Sequence, residues 1–149
     1  MKKGFKIMKK ISSILLAFIM LMTVVAQAAP AEKAILRLQG LEIMQGDENG
    51  MRLEDNITRA EFSAVICKMM GVSDVSGLKC DFFDVPEDHW ATGYIKTIHS
   101  AAIIDGMGNN MFAPDDNITY AQACKMIVCL LGYGFAAENM GGWPAGYVM

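Results

Sequence analysis

"NITRAEF", residues 56–62, returns in altered form as "NITYAQA" at residues 117–123, 61 positions later. Each copy reads as a helix start. Thr58 is placed as an N-cap whose hydroxyl can accept from the backbone N–H three residues on. Glu61 at N3 can reach back to the N–H of Thr58, completing a capping box. Ile57 and Phe62 take the hydrophobic-staple positions. In the second copy Thr119 and Gln122 can do the same capping work, while Ala123 weakens the staple. Thr58, Glu61 and Thr119 are therefore read as helix-capping residues.

Outward from Thr58 and Thr119 the two copies stay in register. Phe62 matches Ala123, Val65 matches Met126, Ile66 matches Ile127, Met69 matches Leu130 and Met70 matches Leu131. Apolar residues at i, i+3, i+4, i+7 and i+8 predict an amphipathic helix with one buried stripe. Gly71 and Gly132 fall where a left-handed C′ residue would end each helix. Upstream, "GLEIMQGDENG" (40–50) resembles "SAAIIDGMGNN" (100–110), and "EKAILRLQG" and "ATGYIKTIHSA" each read as a first helix. The repeating unit is helix, Gly/Asn/Asp loop, helix, and a repeat of this length points to stacked supersecondary units. "WPAGYV" (143–148) echoes "WATGYI" (90–95) and reads as a third opening. The expected organisation is a first repeat over 31–73 lacking its opening, a second over 81–134, and the start of a third, cut short, over 135–149. Nearly all of 31–149 is expected to be helical, with long helices near 58–70, 90–104 and 119–131. A third unit that ends early would leave apolar surface on the second and favour self-association.

The first 28 residues stand apart. "MKKGFKIMKK" carries five lysines, "ISSILLAFIMLMTVV" is uncharged and apolar, and "AQA" at 26–28 has the small residues of a cleavage site. This is the pattern of a secretory signal peptide over 1–28, and its apolar run is short for a membrane span. The chain holds 13 basic and 16 acidic residues. The leader takes five of the basic and none of the acidic, leaving eight against sixteen and a net charge of −8. An acidic exported chain is a poor partner for nucleic acid, whose affinity rests on Lys and Arg neutralising phosphates. No membrane partner is expected after leader cleavage. Cys67, Cys80, Cys124 and Cys129 form no CxxC and read as free or buried thiols rather than a metal site. No cofactor is implied.

Arg59 is the residue that capping does not explain. It stands at N1, where the helix dipole disfavours a cation by about 0.3–1 kcal/mol. A helix N-terminus receives anions on its free N–H groups, and a guanidinium fork there suits a carboxylate. The bland alternative is a surface arginine paired with Glu54 or Asp55. Tyr120, its counterpart, loses the charge and offers a ring face suited to a sugar.

These stretches resemble the S-layer homology family. The resemblance rests on "ITRAEF" as a Thr-Arg-Ala-Glu signature, on the opening "FFDVPEDHWATGYI", and on the link "AAIIDGMGNNMFAPDDNIT". It implies an all-α, three-pronged bundle of repeats. It also implies a secreted module at the cell wall or S-layer surface, anchoring non-catalytically by binding pyruvylated secondary cell wall polysaccharide in grooves between repeats. By the same resemblance Arg59 is a principal glycan residue, and Trp90, Asp84 and Gly106 match groove-forming positions. Tyr120 and Gln122 replace the Arg and Glu of the second signature, so the second groove is either silent or holds the glycan by stacking.

Three other readings compete. Catalysis through His89, His99, Asp84 and Asp88 lacks a nucleophile–base or paired-carboxylate arrangement. A calcium loop in "DENGMRLEDNIT" fails, because Met51, Arg52 and Thr58 stand where an oxygen ligand, glycine and glutamate belong. A helical-repeat protein–protein interaction module at the cell surface is the most serious alternative, suited by the thirteen methionines.

Overall fold

The computed structural model describes residues 32–48 and 50–148. The leader expected over 1–28 lies outside them. The chain divides into two compact units, one ending at Gln45 and one beginning at Gly46. In the first, helix α1 covers residues 32–40. It closes where the N–H of Ile43 reaches the carbonyl of Leu38 at 2.9 Å and Glu42 takes a left-handed φ of 57°. In the second unit α2 is Arg59–Met69, α3 Thr92–Ser100, α4 Tyr120–Leu130, α5 Gly134–Asn139 and α6 Ala145–Val148. Among the described residues there is no strand, only isolated bridges. None of the described helices is long and apolar enough to cross a membrane.

Both capping boxes form. Thr58 Oγ1 accepts from the Glu61 N–H at 3.1 Å, and Glu61 Oε2 accepts from the Thr58 N–H at 2.8 Å. Thr119 and Gln122 repeat the pair at 3.3 and 3.0 Å. The helix ends repeat as well. Val72 N–H reaches Cys67 O and Gly71 N–H reaches Lys68 O, both at 3.0 Å, with Gly71 at φ 75°. Tyr133, Val128, Gly132 and Cys129 do the same after α4. These are Schellman closures, in which a left-handed C′ residue satisfies the last carbonyls.

The chain is less helical than its periodicity suggests. α3 stops at Ser100, not 104, because Ala102 adopts φ 54° and turns Ile103 N–H back to Ile98 O at 2.9 Å. Ile103 and Ile104 then enter the core as loop residues. The linker that follows is ordered by backbone contacts, not by helix.

The buried face of α2 also differs from the apolar stripe. Met69 and Met70 are exposed, and the buried residues are Arg59, Ala60, Ser63, Ala64, Ile66 and Cys67. The helix is thus turned by roughly 100°, one residue's worth. Ala60, Ser63 and Ala64 are small, and small residues let neighbouring backbone come close. Ser63 hides its hydroxyl by donating to the Arg59 carbonyl at 2.7 Å. The core beside this face holds Ile66, Cys67, Ile95, Ile98 and Phe112, all fully buried. Burial pushes the Cys67 thiol up to about 11. All four cysteines are free thiols.

The two "NIT" copies meet. Thr58 and Asn117 form an antiparallel bridge, and Ile118 N–H donates to Ile57 O at 3.0 Å. The opening motifs are equivalent too. Trp90 and Tyr94 rings lie 6.3 Å apart at 60°, and Trp143 and Tyr147 lie 6.2 Å apart at 54°. Gly93 and Gly146 each sit against a carbonyl, of Val75 and Ala137 respectively, that any Cβ would strike.

Candidate functional site

α2 begins against the linker that precedes α4. The N–H of Arg59 donates to Asp116 O and that of Ala60 to Pro114 O, both at 2.9 Å. With Thr58 and Glu61 already capped, the first N–H groups of α2 are all taken. No anion can therefore dock on them, which corrects the expectation of a free helix N-terminus. The attraction for an anion has to come from the side chain.

Arg59 as a whole is 5% exposed. Its Nε–H donates to the Phe112 carbonyl at 2.8 Å, and Cζ lies 4.6 Å from the centroid of the Phe112 ring. Burial lowers the guanidinium pKa, while the carboxylates of Asp116 and Asp84 work to raise it. An arginine remains a cation under such conditions. Arg59 is not paired with Glu54 or Asp55. Arg52 fills that role, reaching Asp47 at 2.8 Å, Glu61 at 2.9 Å and Asp55 at 3.4 Å on the surface.

The hydrogen bond uses only Nε. Among the described residues no buried side-chain nitrogen or oxygen lacks a partner, so the remaining guanidinium nitrogens reach solvent. Arg59 also lines a cavity of about 290 Å³, walled with it by Gly106, Met107, Gln122, Lys125 and Trp143 among others. Four parts of the chain converge there: the start of α2, the loop after α3, one side of α4, and Trp143 in the turn before α6. Gln122 donates from Nε2 to Met107 Sδ at 3.4 Å. Lys125 Nζ pairs with Asp105 at 2.7 Å and lies 5.7 Å from the Trp143 centroid.

Gly106 is obligatory in this wall. Its φ is 81°, and a Cβ would come within 2.7 Å of both Met111 O and the Phe82 ring. The loop beyond it turns through Asn109 and Asn110 at φ 50° and 57°, a tight reversal of the type that needs two left-handed residues. Asp84 secures the far side. Its two oxygens accept from the N–H groups of Phe112 at 2.8 Å and Ala113 at 2.6 Å. Asp84 is thus spent on the loop that seats Phe112 under Arg59, and it does not line the cavity.

The S-layer homology domain matches the chain over residues 25–63 and 81–124. The chain belongs to the S-layer homology family. It is 31% identical over 131 residues to a cell surface protein of Thermoanaerobacter kivui, covering 85% of this chain and 16% of that one. It is 31% identical over 156 residues to a surface layer protein of Brevibacillus choshinensis, covering 93% and 14%. A cellulosome-anchoring protein of Acetivibrio thermocellus is 35% identical over 72 residues, covering 46% and 16%. The chain spans less than a fifth of the length of each of these relatives.

Within this S-layer homology chain the cavity gathers Arg59, Gly106 and Gln122 from the expected residues. Trp90 is 57% exposed and Tyr120 78% exposed, and neither lines it. Arg59 of the first signature and Gln122 of the second line the same cavity. Lys125, Asp105 and Trp143 are wall residues that sequence reasoning passed over. Lys125 had a legible signal: it follows Gln122 by three, hence on the same helix face. Trp143 was recognised as an echo of Trp90, but its partner across the cavity is set by the fold.

Proposed function

We propose that this module anchors its protein to the cell wall non-catalytically, by binding a pyruvylated secondary cell wall polysaccharide in the Arg59 cavity. The observation that carries the reading is a buried arginine, pinned through Nε and by the Phe112 ring, that lines an open cavity. A pyruvyl ketal carries one carboxylate on a sugar ring. A preorganised guanidinium can bind that carboxylate bidentately. The cavity lies near the small end of ligand-site volumes, about 300–1,000 Å³, which suits one substituted sugar rather than a long stretch of chain. Trp143 gives an aromatic wall and Gln122 an amide for the ring hydroxyls. The exposed rings of Trp90 and Tyr120 are further stacking faces for neighbouring sugars outside the cavity. The names of the surface-layer and cellulosome-anchoring relatives support the wall as the location.

The test is co-sedimentation of the chain with purified cell walls in three states: intact, treated with mild acid to remove the ketal, and stripped of secondary polysaccharide. Binding should be full to the first and largely lost from the other two. Equal binding to intact and ketal-free walls would reject pyruvyl recognition. Equal binding to stripped walls would reject the polysaccharide altogether.

A further inference from the structure

We infer that Lys125 is a second anion-binding cation of the cavity, and that it tunes the site to a sugar carrying a single negative charge. This rests on the anion-binding reading of Arg59 above.

The wall carries Arg59, Lys125 and Asp105 as its charged groups, a balance of one positive charge. One carboxylate neutralises it, whereas a dianion would overshoot and a neutral sugar would leave it unmatched. The Lys125–Asp105 pair is unequal in its surroundings. The lysine side chain is 23% exposed and the aspartate 75% exposed. Asp105 is therefore well hydrated and can release the ammonium at small cost, since water solvates the freed carboxylate. Lys125 cannot leave so readily. Its Nζ lies over both Trp143 and Tyr147, at 5.7 and 5.5 Å from their centroids, within cation–π range. The aromatic pair holds the charge at the cavity wall whether or not Asp105 stays.

The helix itself does not require this lysine. Ala64 stands at the matching place in α2, and Gln45 stands where the second copy has Asp105. The charged pair thus occurs as a unit in the second copy alone. Cap, stripe and helix end are the same in both copies without it. What the pair adds is a cation beside Gln122, three residues earlier on the same face of α4.

The experiment titrates the full chain with a methyl hexopyranoside bearing a 4,6-O-(1-carboxyethylidene) group, and with its methyl ester as the uncharged control. Wild type should prefer the acid. Lys125→Met, which keeps the stem, should weaken acid binding about tenfold and leave ester binding unchanged, a tenfold change being the typical weight of one such contact. Lys125→Arg should restore most of the acid preference. Asp105→Asn should strengthen acid binding by about threefold, because the competing carboxylate is gone. An unchanged acid-to-ester ratio in Lys125→Met would overturn the inference and leave Arg59 as the sole reader of charge. Equal losses for acid and ester would overturn it too, since Lys125 would then act by packing. Should wild type bind neither the acid nor intact walls, the glycan reading itself falls, a result distinct from both.

Discussion

Replacing Arg59 by alanine should cost the module stability as well as binding. From the dipole alone, the opposite sign is expected: removing a cation from N1 returns about 0.3–1 kcal/mol. Two contacts of the folded side chain outweigh that gain. The charge-assisted bond from Nε to Phe112 O at 2.8 Å is worth about 1.5–3 kcal/mol. The guanidinium over the Phe112 ring at 4.6 Å adds about 0.5–2 kcal/mol. Both belong to one group, so they overlap rather than sum. Once the dipole gain is subtracted, a net loss of about 2–3 kcal/mol remains, which in a chain of this size lowers Tm by roughly 10 °C. The measurement is urea and thermal unfolding followed by far-ultraviolet circular dichroism. Wall binding is measured in parallel at a temperature where both proteins are folded. Arg59→Met, which keeps the buried stem, should recover part of the stability and none of the binding. An alanine variant within about 0.5 kcal/mol of wild type, or more stable, would refute the claim that Phe112 holds this guanidinium in place.

Ala102→Gly should stabilise the chain by about 0.5–1 kcal/mol, seen as a higher urea midpoint. Alanine at φ 54° bears a left-handed penalty of about 1–2 kcal/mol, part of which glycine returns as unfolded-state entropy. Glu61→Gln should cost under about 1 kcal/mol near neutrality, because the capping box survives, as Gln122 shows, and only the exposed Arg52 pair is lost. The Glu61 carboxyl is raised by its partial burial but lowered more by the Thr58 N–H and Arg52, for a net fall below the ordinary value. Its contribution is therefore full above the ordinary carboxylate range and disappears as pH falls through the lowered folded value. The glutamine variant should lack that part of the acid dependence in unfolding measured from neutral pH downward.

Features legible in the sequence were those settled within a few residues. Thr58 with Glu61 and Thr119 with Gln122 close their boxes because N-cap and N3 are one helical turn apart. Gly71 and Gly132 end their helices because a left-handed residue is needed there and glycine bears no strain in it. The same local logic carried the equivalence of Trp90 and Trp143. Where Ala102 replaced glycine at a third left-handed position, that logic ran α3 on to 104. The family signature was likewise a matter of order and spacing along the chain.

Tertiary structure alone decided which side of α2 is buried and what Arg59 does. Hydrophobic periodicity weighs large apolar residues and passes over Ala60, Ser63 and Ala64, whose smallness is what lets other backbone approach. The partners that fill the start of α2 are Pro114 and Asp116, more than fifty residues away, and no local pattern reveals that they take its N–H groups. With those groups occupied, the charge available to a ligand moves from the helix end to the guanidinium beyond it. Lys125 and Trp143 join that guanidinium only because the link after α3 folds back under α2 and seats Phe112 there. The helix ends are properties of the local chain, whereas the cavity exists only where distant segments pack.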